Sequence, residues 1–187
     1  MTGLLRVGLI KIRITNMHKI VFSPFPNLTT ERFNLRQLRL KDKNEIFLLR
    51  SDERVNQFLD RPIAKTVNDA RQFINKIKTG IAKNEAIYWA ITLLNQSKLI
   101  GTICLWNLSD DGTKAEIGFE LLPNYLGRGI MHEVLPIIIQ YGFETMKLKS
   151  IEGEVDPNNV NSIKLMEKNG FNLKEKLSNT LIYSLQN

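Results

Sequence analysis

Hydrophobic positions recur along this chain in two periods, and the alternation between them predicts a fold that mixes α and β elements. In "NLTTERFNLRQL", Phe33, Leu35 and Leu38 stand against polar neighbours as in a strand. Over roughly 42 to 59, Ile46, Leu49 and Phe58 recur at helical spacing and predict one helix. Thr66 is a fitting N-cap for a second helix reaching about Ala82, with Ala70, Phe73, Ile74 and Ile77 as its apolar stripe and Gly80 at its fraying end. The segments 88–94, 98–106 and 114–121 are rich in β-branched and aromatic residues, and "NQSK" and "LSDDG" punctuate them, so they read as an antiparallel meander. Beyond lie a long helix from about Arg128 to Lys147, a strand at 151–155, a helix from about Val160 to Asn169, and closing strands near 172–176 and 180–185. Pro136 falls inside the long helix and should kink it or cost it a hydrogen bond. The strand–helix–strand run in this second half implies a βαβ crossover.

With 187 residues the chain is long enough for one domain with a real core. The 43% hydrophobic and 24% charged content is ordinary for a globular protein, and no apolar run approaches the ~20 residues of a membrane span, so no membrane partner is expected. Residues 1–20 carry Arg6, Lys11, Arg13 and Lys19 without an acidic residue or a continuous apolar stretch, a poor signal peptide. They are expected to form an N-terminal extension to a domain over 21–187, residues 1–16 arising from a start codon upstream of Met17. The single cysteine, Cys104, sits in "LIGTICLW" and reads as a core thiol; it fits a cytoplasmic location, and neither a disulfide nor a metal site is expected. The net charge of +7 comes from Lys and Arg spread among acidic residues, which argues against a nucleic-acid partner while suiting a polyanionic cofactor.

The chemistry concentrates in "AEIGFELLPNYLGRGIMHEVLPIIIQYGFE". A strand ends near Leu122, a loop holds Gly127 and Gly129, and a helix begins at the second glycine. Unpaired N–H groups and the positive end of the helix dipole then converge on one point, which suits a phosphate, and Arg128 adds a cation. Two glycines before a helix also serve ordinary turns. The three-glycine dinucleotide fingerprint and the Gly-Lys-Ser/Thr mononucleotide loop are both missing.

This span resembles motif A of the GNAT acetyltransferases, read here as Leu126, Gly127, Arg128, Gly129, Ile130 and Met131. Leu126 replaces a polar first residue and Met131 a small last one, departures that resemble the ribosomal-protein-alanine acetyltransferase branch, as does the following Glu133. "DPNNVNSIKLMEKNGF" resembles motif B, with Asn159, Ser162, Leu165, Glu167, Lys168, Gly170 and Phe171 in its positions. Thr30, Glu31, Arg32, Leu35 and Arg36 resemble the branch's first strand. The resemblance runs from about Phe25 to the C-terminus. It implies a GNAT fold over 21–187: a central, mixed, mostly antiparallel twisted sheet of about seven strands with helices on both faces.

It also implies transfer of an acetyl group from acetyl-CoA, a co-substrate, to a primary amine in a ternary complex, most simply the N-terminal amine of a protein such as a ribosomal protein. The alternatives are acetylation of a small amine (aminoglycoside, polyamine or amino acid) and a non-catalytic acyl-CoA-binding sensor. The N–H groups of Gly127, Arg128, Gly129, Ile130, Met131 and His132 would hold the pyrophosphate, backbone groups of Phe119 and Leu121 the pantetheine arm, and Asn159 the arm or merely the helix N-terminus. Many relatives place a tyrosine acid where this chain has Met166, which cannot donate a proton. Ser162 is then the nearest donor, or a simple helix hydroxyl. Glu116 and Glu120 share one strand face and could accept the amine's proton, or serve only as solvent-facing ion-pair partners. His132 is expected near phosphate or solvent, and Trp89 and Trp106 as core or acceptor-pocket wall. Closing strands of this fold often pair between subunits, so a homodimer is one expectation.

Overall fold

The computed structural model describes residues 20–187; of the expected extension over 1–20, residues 1–19 lie outside the described residues. The strands are β1 (Leu28–Thr29), β2 (Phe33–Gln37), β3 (Ile87–Leu93), β4 (Leu99–Trp106), β5 (Lys114–Leu121), β6 (Ser150–Val155), β7 (Asn172–Lys176) and β8 (Leu181–Gln186). They form one sheet in the order β1-β2-β3-β4-β5-β6-β8-β7, antiparallel throughout except for the parallel pair β5–β6. The strand beyond the expected seven is β1, whose two residues pair with Leu35 and Asn34 and are too few to show a period in sequence.

Helices cover both faces. Odd-numbered side chains of the sheet meet α4 (Ile130–Gln140), the turn that follows it and α5 (Val160–Lys168): Trp89 packs edge-on against Tyr141, the first residue after α4, at 5.3 Å, and Met166 of α5 lies against Gly153. On the even face α1 (Lys43–Ser51) and α3 (Val67–Ala82) cover the β2–β4 side, where Phe73 packs against Tyr88 at 5.8 Å. Trp89 is fully buried and donates to the Pro26 carbonyl at 2.8 Å, so it is core; Trp106 is 48% exposed and belongs to the open surface. Cys104 is half-buried, and burial together with the Glu120 charge pushes its thiol up to about 12, so it is inert.

Thr66 caps α3 as its sequence predicts, its hydroxyl accepting from Asp69 N–H at 3.2 Å while the Asp69 carboxylate accepts from Thr66 N–H at 2.9 Å. That helix reaches Ala82, as expected, with Gly80 in its last turn, and Asn84 turns the chain with φ 60°. The single helix expected over 42–59 is instead α1 and a short α2 (Glu53–Asn56), divided at Asp52. Asp52 takes an extended conformation (φ −74°, ψ 123°), and its carboxylate accepts from Arg54 N–H, so a local side-chain bond competes with helix continuation there. Phe58 is left outside both helices. The helix expected over 128–147 is regular only to Gln140; a π turn over Tyr141–Thr145 follows, in which Met146 N–H reaches back to the Tyr141 carbonyl. Pro136 supplies no N–H for the carbonyl four residues before it.

Among the described residues no helix is long and apolar enough to cross a membrane, and no group of three or more His, Cys, Asp or Glu side chains could hold a metal ion.

Candidate active site

Among the described residues the sheet has one parallel pairing, and it is short. β5 and β6 stay in register through Lys114–Ser150, Ala115–Ile151 and Glu116–Glu152, and no pairing continues beyond. Past this point β5 keeps to β4 and β6 keeps to β8, so a fork opens between them. Leu122 N–H donates to the Ile100 carbonyl on the β4 side at 2.9 Å. Successive N–H groups of a strand point in opposite directions, so those of Leu121 and Phe119 face into the fork. They stand there as free backbone partners for an extended ligand.

The open end of the fork leads to the loop before α4. Pro123–Tyr125 forms one 3₁₀ turn, and Gly127 and Gly129 follow with φ of 72° and 69°, values that disfavour a side chain. Gly129 is the N-cap of α4, and no side chain caps this end. The N–H groups of Ile130, Met131 and His132 therefore lack partners within the helix, and its dipole concentrates positive potential at the loop. Ile130 and Met131 are buried by their side chains and fix the turn to the core, whereas His132 is exposed. Arg128 lies over the Tyr125 ring, 5.5 Å from its centroid.

Glu116 and Glu120 do share the even face of β5, but their surroundings differ. Glu120 is in an ion pair: its Oε2 accepts from Arg61 Nη2 at 2.6 Å, and its Oε1 from Thr102 and Tyr88 hydroxyls at 3.2 and 3.4 Å. Glu116 stands at the closed end of the fork and accepts from Asn107 Nδ2. Burial raises its pKa above the usual carboxylate value, the Asn107 bond opposes that, and the charges of Glu154 and Glu152 raise it further. Of those two, Glu152 is paired with Lys174 at 2.7 Å, and Glu154 is exposed. Gly118, between Glu116 and Glu120 on the same face, leaves room beside Cys104 and Trp106: a Cβ there would lie 3.2 Å from Sγ and 3.7 Å from the indole nitrogen.

Motif B reaches the site through α5. The Asn159 side chain accepts from Ser162 N–H at 3.2 Å, so it serves as N-cap, with its amide nitrogen left over. Ser162 is half-buried in the first turn. Met166 is buried on the odd face, and a Cβ on Gly153 would come within 2.5 Å of its Cε, so the residue in the usual acid position fills the core. A recess of about 420 Å³ between β1–β2 and the β3–β4 turn, lined by residues including Asn34, Arg36 and Ser97, has none of these residues on its wall.

Three pairings escaped the sequence reading. Arg61 lies 59 residues from Glu120, in a loop without a motif. Asn107 meets Glu116 across a turn. Thr30 and Arg32 bind Glu133 from about 100 residues away, although each belongs to a block that marks the family.

A fork in a mixed sheet, with an uncapped helix N-terminus at its mouth, suits an extended ligand that carries a phosphate group, and comparison with known proteins gives the class of protein that uses it. The profile of the Acetyltransferase (GNAT) domain matches residues 32–172, and the chain belongs to this family of acetyl-CoA-dependent N-acetyltransferases. It is 33% identical over 145 residues to the uncharacterized N-acetyltransferase p20 of Bacillus licheniformis, covering 77% of this chain and 81% of that protein. Its fold is similar to that of a GNAT-family acetyltransferase from Bacillus anthracis (TM-score 0.75, 23% identity, 86% of this chain and 98% of the other). It is also similar to ribosomal-protein-S5-alanine acetyltransferase from Vibrio fischeri (TM-score 0.74, 21% identity, 87% and 97%).

Proposed function

We propose that acetyl-CoA lies along the fork, with its pyrophosphate on the N–H groups of residues 127–132 and its arm against Phe119 and Leu121, and that Glu116 accepts a proton from the attacking amine. One observation carries this reading: the parallel pairing ends at Glu116 and Glu152, while the uncapped helix start lies at the other end of the opening. From Leu121 to Glu116 is five residues of strand, ~17 Å. An extended arm anchored at the loop thus brings its thioester toward the closed end, where Glu116 stands. The acetyl thioester supplies the activated acyl group; the chain supplies binding, orientation and proton removal.

Glu116 suits that last task better than Glu120. Its carboxylate has no cationic partner among the described residues, and burial and neighbouring charge make it more basic than an exposed glutamate, whereas Arg61 occupies Glu120. Asn159 would use its free amide nitrogen on the arm, and Ser162 is the nearest hydroxyl for the departing thiolate. We assign the acceptor as a protein N-terminal amine, as in the ribosomal-protein enzyme of similar fold, and the location as cytoplasmic. A second reading, a small cationic amine, is favoured by Glu154, which lies on the same face as Glu116 and has no cation of its own among the described residues.

The test is thiol release from acetyl-CoA with peptides beginning in Ala, Ser or Met, alongside polyamines and aminoglycosides, for wild type and Gly129→Trp. Peptide-dependent release that the substitution abolishes supports the first reading, and release with small amines alone supports the second. Undiminished turnover in Gly129→Trp would sink the placement of the cofactor.

A further inference from the structure

The phosphate-binding loop has a brace behind it. Arg32, just before β2, donates from Nε to Glu133 Oε2 at 2.6 Å, and its Nη1 and Nη2 reach the carbonyls of Arg128 and Gly129, each at 3.4 Å. Glu133, in the first turn of α4, is held in turn by the Thr30 hydroxyl at 2.6 Å and the Arg32 N–H at 2.8 Å. Burial alone would raise the Glu133 carboxyl, but the bonds from Thr30 and Arg32 outweigh it and keep the group below its ordinary value, so it stays charged and clamps the guanidinium.

A trans peptide points its carbonyl and its N–H in opposite directions. With the carbonyls of Arg128 and Gly129 turned toward Arg32, the N–H groups of Gly129 and Ile130 point away from it, to the side where the anion is to bind. A Cβ on Gly129 would make only ordinary contact with Arg32 Nη2, at 3.8 Å, so it is the φ of 69° that favours glycine there. Without the brace, the two-glycine loop is free to rotate these peptide planes, and the bound anion must then order them itself.

We propose that Arg32, locked by Glu133 and Thr30, is a positioning residue that pre-sets the loop's N–H groups for the cofactor's pyrophosphate. The proposal rests on the placement of acetyl-CoA given above. Arg32 touches neither the reacting atoms nor the acceptor side of the sheet, so its effect should fall on cofactor affinity alone. Loss of charge-assisted bonds of this kind corresponds to about a tenfold weakening.

The experiment compares Arg32→Ala, Arg32→Lys, Glu133→Gln and Gly129→Trp by calorimetric titration with coenzyme A and by steady-state kinetics, with melting temperature as the check on folding. Arg32→Ala should raise Kd for coenzyme A and KM for acetyl-CoA about tenfold, with kcat and the amine KM unchanged. Arg32→Lys should not restore binding, because an ammonium keeps the charge but cannot bracket two carbonyls and a carboxylate at once. Should Arg32→Ala not fold, Glu133→Gln takes its place, with a rise of about threefold expected. Full recovery in Arg32→Lys would overturn the proposal in favour of simple charge attraction, and an unchanged Kd in a folded Arg32→Ala would overturn it outright. If Gly129→Trp abolishes binding while Arg32→Ala does not weaken it, the brace fails and the cofactor placement stands; if Gly129→Trp binds normally, both fail.

Discussion

Replacing Arg61 by methionine would leave the Glu120 carboxylate buried without its cation. The two side chains are 20% and 7% exposed, so water can do little to compensate. Removing one partner of a buried ion pair costs roughly 3–5 kcal/mol. Glu120 would keep the hydroxyls of Thr102 and Tyr88, at 3.2 and 3.4 Å, which puts the cost near the lower end, about 3 kcal/mol. For a domain of this size that is roughly 6–12 °C in melting temperature. Urea denaturation at neutral pH reads this directly, and adding Glu120→Gln should recover most of the loss, because a neutral amide no longer needs the cation. A deficit below about 1 kcal/mol, or one that Glu120→Gln does not reduce, would refute the view that a desolvated ion pair ties the loop around Arg61 to β5.

Two further outcomes follow from the same geometry. Glu116→Gln should lower turnover by at least a hundredfold at neutral pH, with cofactor affinity unchanged in titration. Because the folded-state pKa of Glu116 is raised, its stabilising contribution is present below its unfolded value and lost as pH rises through the folded one, so Gln should also increase the melting temperature slightly at pH 8 and not at pH 4. Gly101→Ala should cost about 2–3 kcal/mol by urea denaturation, since a Cβ there meets the Leu121 side chain and lies 2.5 Å from the Glu120 carbonyl, and β4 and β5 cannot separate without breaking their ladder.

Much of this molecule is legible from local pattern. The meander, the capped helix at Thr66 and the glycine turn before α4 appear where residue period and capping chemistry put them, because each depends on neighbours within a few positions. The break at Asp52 is also a local event, yet it was hidden, since the apolar spacing of Ile46 and Leu49 continues plausibly to Phe58 and only the Asp52 side chain decides otherwise. The pairing partners of the site's carboxylates were out of reach for a different reason. Strand alternation places Glu116 and Glu120 on one face, but nothing local says that Arg61 crosses to one of them and Asn107 to the other. The two family blocks around Arg32 and Glu133 were each recognisable, and only the fold shows that they touch.

The fork has a mechanical side as well. Between β5 and β6 the sheet is joined through three residue pairs at one end, so it is two panels, β1 to β5 and β6 to β8, meeting along a short seam. Such a seam resists sliding better than it resists opening. Anything seated in the gap and bonded to both panels acts as a stitch, and a ligand held at a hundred times its Kd adds about 2.7 kcal/mol to the stability of the whole. The empty protein is then the looser one, with inner edges whose free backbone groups invite any extended chain, and in the placement proposed above the cofactor that supplies the acetyl group would also close the sheet.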